Sequence, residues 1–154
     1  MNEDLETPDD SLVAIYAEKI RTIRTRSCVL EIPERENDVR ILHTLLGIEL
    51  QIGPRRFSCP DLATARYMRV FARLGCREFA IPYDITKIST LADELETAWQ
   101  RSLLVLETQA ERLSDQQQKR QRSRLYKLVR SEVAEIGPGE RMPEFNQSTK
   151  QRKT

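Results

Sequence analysis

The stretch "ENDVRILHTLLGIELQIG", residues 36–53, decides the fold, because its two halves carry two different periods. Val39, Leu42, Leu45 and Leu46 recur at helical spacing, with Asn37 or Asp38 ahead of them as a cap and Gly47 behind as a stop. That spacing predicts a helix over 38–46. In "IELQIG", Ile48, Leu50 and Ile52 alternate with Glu49 and Gln51, which predicts a half-buried strand over 48–53.

Two further strands are predicted on either side. "SCVLEIP", 27–33, alternates and stops at Pro33; "CREFAIP", 76–82, stops at Pro82. Between them, "GPRRFSCPDLATARYMRVFARLG", 53–75, predicts a helix from about Pro60 to Leu74. Ser58 or Cys59 is its cap and Gly75 its left-handed end. The middle of the chain then reads strand, helix, strand, helix, strand. This order implies an α/β (or α+β) fold, a small three-stranded sheet with helices on its face. Right-handed crossovers would make the strands parallel. Whether "IELQIGPRRF" is instead an antiparallel edge strand or an exposed loop stays open.

Helices are expected at both ends. Asp10 or Ser11 caps a first one with Leu12, Tyr16, Ile20 and Ile23 on one stripe. From Asp84 onward the character is helical, with Ile88, Leu91, Leu95 and Trp99 on one face. Trp99, Leu103, Leu106, Ala110 and Leu113 then mark a seam of about two heptads. A helix packed on its own chain is expected there, with a homodimer through residues 99–113 as the other reading. Ser114 and Gln117 match a capping box, so 85–136 forms either one long helix or a hairpin. The expected organisation is an acidic disordered tail over 1–10, an α/β core over 11–84, a helical C-terminal extension over 85–136 and a disordered tail over 137–154.

Composition excludes several classes. The 154 residues suit one domain with extensions, and 39% hydrophobic with 32% charged residues fits a soluble globular chain. No apolar run approaches the ~20 residues of a membrane span. The start is acidic and lacks a secretory pattern. The three cysteines, Cys28, Cys59 and Cys76, are too few and too widely spaced for a disulfide framework. A cytoplasmic location is expected.

Cys59 stands near Arg55 and Arg56 at the expected helix start, where a thiol is activated. A cysteine phosphate loop needs arginine six positions on, where Ala65 stands. A redox pair needs cysteine three positions away, where Arg56 and Leu62 stand. The fragment "FSCP" resembles the F-x-C-P of peroxiredoxins. That pattern also needs threonine three before the cysteine and proline seven before it, where this chain has Arg56 and Ile52. His43, the one histidine, lies on the expected 38–46 helix with no metal-ligand spacing around it. Asp93 with Glu94 or Glu96 reads as a solvated helix face. No enzyme, cofactor or metal site is expected, with a thiol-based activity at Cys59 as the remote alternative.

What remains is charge. Glu3, Asp4, Glu6, Asp9 and Asp10 crowd the start, while "KRQRSRLYKLVR", 119–130, has bases and no acid. Candidate binding residues fall in three groups. They are Arg55 and Arg56; the row Arg66, Arg69 and Arg73; and Lys119, Arg120, Arg122, Arg124, Lys127 and Arg130. The expected function is non-catalytic: a cytoplasmic adaptor, assembly factor or regulator with a protein partner. The alternative is RNA or DNA binding through the basic helix faces.

Overall fold

The computed structural model describes residues 11–137, so the expected tails over 1–10 and 137–154 lie outside it, Gly137 excepted. In chain order the elements are α1 (Leu12–Thr22), β1 (Thr25–Val29), β2 (Val39–Thr44), β3 (Gly47–Ile52), β4 (Arg55–Cys59), α2 (Leu62–Leu74), β5 (Glu78–Pro82), α3 (Ile85–Gln109) and α4 (Asp115–Ile136). The fold is mixed α/β, with a three-stranded sheet and a long helical C-terminal part.

Of the expected strands only 48–53, as β3, enters the three-stranded sheet. That sheet is an antiparallel meander of β2, β3 and β4. Residues 38–46 are not a helix, because a competing period wins. Val39, Ile41 and His43 face the same side as Ile48, Leu50 and Ile52, and the ladder pairs Val39 with Ile52 and Ile41 with Leu50. A helix would have exposed Ile41 and left one edge of β3 unpaired, with only β4 on the other. Leu45 and Leu46, half of the supposed helical stripe, occupy the hairpin turn at 105% and 93% exposure. Gly47 takes φ 128 to close that turn, a conformation other residues rarely adopt, so it serves a hairpin rather than a helix end. His43 is therefore an exposed strand residue, not part of a helix.

"RRFSC" becomes strand β4, so Cys59 ends a strand instead of opening a helix. The cap of α2 is Asp61, whose Oδ1 accepts the Thr64 N–H at 2.7 Å, and not Ser58 or Cys59. Gly75 ends α2 at φ 84 as expected. A Cβ there would strike the backbone of Arg35, so this glycine also lets the 33–37 loop approach.

The expected flanking strands pair with each other, and they do so antiparallel: β1 with β5, in register from Thr25↔Pro82 to Val29↔Glu78. Among the described residues no strand continues the sheet beyond β5. Two tyrosines take that place. The Ala80 N–H donates to the Tyr16 hydroxyl at 2.8 Å, and the Tyr67 hydroxyl donates to the Ala80 carbonyl at 2.6 Å. The Tyr16 hydroxyl donates onward to the Gly137 carbonyl at 3.1 Å. Side chains thus satisfy a buried sheet edge that strands were expected to fill. Burial pushes Tyr16 up to about 12 and Tyr67 well above the usual range, so both hydroxyls keep their protons and remain donors.

Packing joins the layers. Phe71 of α2 stacks on Phe79 of β5 with ring centroids 4.4 Å apart, and Tyr16 and Tyr67 tilt against Phe71 at 5.2 Å each. The same core takes in Ile88, Leu91, Leu95 and Trp99 of α3 and Tyr126, Val129 and Val133 of α4. The region 85–136 is a hairpin and not one helix. A capping box at Ser114 and Gln117 starts α4, and Gln118 Nε2 donates to the carbonyls of Ala110 and Leu113 in the turn. Trp99 meets Tyr126 edge-on at 5.1 Å, so this part of the 99–113 seam is covered within the chain.

Candidate functional site

Two arginine rows have nearly the same spacing and different surroundings. On α2, Arg66 and Arg69 point at α3. Arg66 Nη2 lies 2.6 Å from Glu96 Oε1 and 2.5 Å from Asp93 Oδ1, and Arg69 Nη2 lies 2.9 Å from Glu96 Oε2. Glu96 therefore accepts from both guanidiniums, one on each oxygen. The side chains of Arg66, Arg69 and Glu96 are only 26%, 24% and 20% exposed. The hydrogen bonds that Arg66 donates to Glu96, then to Asp93, hold it above even its ordinary range. One turn on, Arg73 is half-buried; burial and then the neighbouring Arg69 lower it.

The α4 cluster divides by face. Arg122 forks onto Glu36, with Nε 3.1 Å from Oε1 and Nη2 2.7 Å from Oε2. It also donates to the Tyr126 hydroxyl at 3.1 Å, and that hydroxyl donates to Glu36 at 3.2 Å. The Arg122 hydrogen bond is the main cause that lowers Glu36. Arg130 Nε donates to the carbonyl of Leu74, the last residue of α2, where a helix leaves carbonyls without partners. Lys119 borders a groove with Glu107, Glu111 and Asp115.

Arg120, Arg124 and Lys127 lie on the opposite side of α4. Their spacing of four and three makes one row, turned away from the buried Tyr126, Val129 and Val133. All three are exposed, and none pairs with a carboxylate among the described residues. Seven residues at 1.5 Å rise give the row a length of about 10 Å.

Arg55 and Arg56 lie on opposite faces of β4. Arg56 Nε is 3.1 Å from Glu49 Oε1 on the outer face. Arg55 stands 3.6 Å from Glu31 and over the Phe57 ring at 5.6 Å. The structure thus joins Arg66 to Arg69 through Glu96, and aligns Arg120 with Arg124 and Lys127.

Comparison with family models, with curated proteins and with solved structures finds no match.

The geometry gives no activated thiol. Cys59 is buried at the end of β4, its Sγ 3.8 Å from the Phe57 carbonyl. Burial first, then Cys28 and Asp61, push it up to about 11. This is opposite to the effect of a helix start. Cys76 is pushed up to about 12 and Cys28 is also raised, both mainly by burial. Among the described residues no His, Cys, Asp and Glu cluster has the makings of a metal site, and no helix is long and apolar enough to cross a membrane.

Sequence reasoning missed Glu36 and Glu96 as the carboxylates that organise these arginines. Asp93 and Glu96 stand three apart on one helix face, so their pairing with a row spaced three and four on α2 had a visible signal. Glu36 had none, because it lies in a loop 86 residues from its partner.

Proposed function

We propose that the chain is a non-catalytic, cytoplasmic binding protein, an adaptor, assembly factor or regulator, whose outer α4 face meets an acidic protein surface. The observation that carries this reading is the Arg120–Arg124–Lys127 row, exposed and without carboxylate partners. Such a row steers an acidic partner at low cost, because its charges need not leave an internal pair first. Burial raises the Cys59 and Cys76 thiols, which counts against thiol chemistry at Cys59.

The alternative partner, RNA or DNA, would use the same cations. Tyr126 is the one aromatic residue in the 119–130 cluster, and it is buried against Trp99. A bare row without stacking side chains suits a protein surface better than single-stranded nucleic acid.

The test is affinity capture with the whole chain, with and without nuclease, beside a variant carrying Arg120→Gln, Arg124→Gln and Lys127→Gln. The expected result is a protein that survives nuclease, leaves at high salt and is lost in the variant. Capture that nuclease abolishes would move the assignment to nucleic acid. Capture that the variant leaves unchanged would remove α4 from the interface.

A further inference from the structure

We propose that the cleft between the two sheets binds an oxyanion carried on an apolar chain. The cleft has a volume of about 740 Å³ and lies between segment 29–33 and the β3–β4 turn at 52–55. Pockets of roughly 300–1,000 Å³ are the ordinary size for small ligands.

Its wall is apolar where β1 runs out and the meander approaches. Val29, Leu30, Ile32, Ile52 and Pro54 line it, and Val29 remains 64% exposed. Into this setting come three arginines from three separate segments: Arg35, Arg55 and Arg77. Glu31 is the only carboxylate in the lining, so the formal balance is three positive against one negative.

Arg35 and Arg77 meet no carboxylate among the described residues, and Arg55 meets one only loosely. Arg77 is fixed through Nε, which donates to the Ile32 carbonyl at 2.9 Å, and a carbonyl cancels no charge. Arg35 is held by its backbone, whose N–H donates to the Pro33 carbonyl at 2.9 Å while the chain presses on Gly75. Its side chain pairs with no carboxylate among the described residues. Arg55 meets Glu31 at 3.6 Å with both groups well exposed, a contact that water screens. Asn37 also lines the cleft, its Nδ2 donating to the Pro33 and Ala72 carbonyls at 3.1 Å each. Planar guanidinium forks match carboxylate and phosphate oxygens in pairs, and the apolar wall beside them asks for a hydrocarbon body.

The experiment titrates octanoate, octyl phosphate, octanol and inorganic phosphate into the whole chain and follows backbone amide shifts. Both octyl anions are expected to saturate with shifts at 29–35, 52–55 and 77. Octanol and bare phosphate are expected to bind at least about tenfold more weakly, since each lacks one half of the match. Tighter binding of octanoate assigns a carboxylate head, and of octyl phosphate a phosphate head; either supports the site. Arg35→Gln and Arg55→Gln, both at exposed positions, are expected to lose about tenfold each with the remaining spectrum unchanged. Octanol binding as well as octanoate, shifts confined to other regions, or unchanged affinity in both variants would overturn the proposal. The ligand series on the unmodified chain decides the matter even where a variant is unstable.

Discussion

The arginine row on α2 and the row on α4 differ by almost nothing in sequence and by almost everything in setting. Arg66, Arg69 and Arg73 step by three and four; Arg120, Arg124 and Lys127 step by four and three. The first row lies where two helices meet, and Glu96 clamps two of its members. The second lies on the side of α4 away from the core and meets no carboxylate among the described residues. A basic stripe is therefore a property of one helix, whereas its availability depends on what the neighbouring helix carries.

The largest difference should appear when Glu96 is neutralised. Glu96→Gln leaves two partly buried guanidiniums close together, beside an Arg69 Nε that already lacks a partner. Breaking a fully buried pair costs roughly 3–5 kcal/mol, and an exposed pair contributes roughly 0–1 kcal/mol. At 20–26% exposure the expected loss is about 2 kcal/mol, read from urea denaturation. A loss no larger than that of an ordinary surface substitution would erase the distinction between the rows.

A smaller effect should follow from uncoupling α4 from its start. Its row is held by the direction of the helix rather than by an acid. Ser114 Oγ accepts the Gln117 N–H at 3.2 Å, and Gln117 Oε1 accepts the Ser114 N–H at 3.1 Å. Ser114→Ala should cost about 1 kcal/mol. Faster amide hydrogen exchange confined to the first turns of α4 would accompany it, with α2 unchanged.

Arg122 marks the boundary between the two situations, since it belongs to the α4 cluster and yet has a carboxylate. Glu36 is lowered in the folded chain, so its contribution is complete above the usual carboxylate range. It is lost as the pH falls through the lowered folded value. The gap in stability between the unmodified chain and Arg122→Gln should therefore be widest near neutrality and narrow on acidification. With 39% and 45% exposure, screening keeps the gap below about 1 kcal/mol. A gap that is constant from neutrality to acid would mean that Arg122 acts through packing on Tyr126 alone.

The same contrast shows how far the sequence could be read. Local signals held where one period dominated: the Ser114 capping box, the Gly75 helix end and the Ile48–Ile52 alternation all stand in the structure. The reading failed at 38–46 because Val39, Ile41 and His43 support a strand while Val39, Leu42, Leu45 and Leu46 support a helix. Only the ladder with β3 decides between them. Sheet composition was hidden for a related reason. The edge of β5 is completed by hydroxyls of Tyr16, which reads simply as an apolar position on a helix stripe, and of Tyr67. Of the candidate site, the cations were legible and their partners mostly were not, because ion pairs such as Arg122 with Glu36 form across long stretches of chain.

The smallest expected effect on stability belongs to the row that supports the proposed function. Replacing Arg120, Arg124 and Lys127 together by Gln removes no ion pair with a described residue and uncovers no core. Glutamine keeps nearly the helix propensity of arginine and lysine. The change in unfolding free energy should stay within about 0.5 kcal/mol. Removing three like charges from one face could even stabilise slightly at low salt, where their mutual repulsion is least screened. The same substitutions should shift partner capture toward the level seen at high salt, since both act on the same Coulomb attraction. Stability and binding would then separate cleanly: Glu96→Gln weakens the fold and leaves the outer α4 face in place, while the triple variant leaves the fold and weakens the contact. A triple variant that unfolded as readily as Glu96→Gln would show that the α4 row, too, belongs to the architecture.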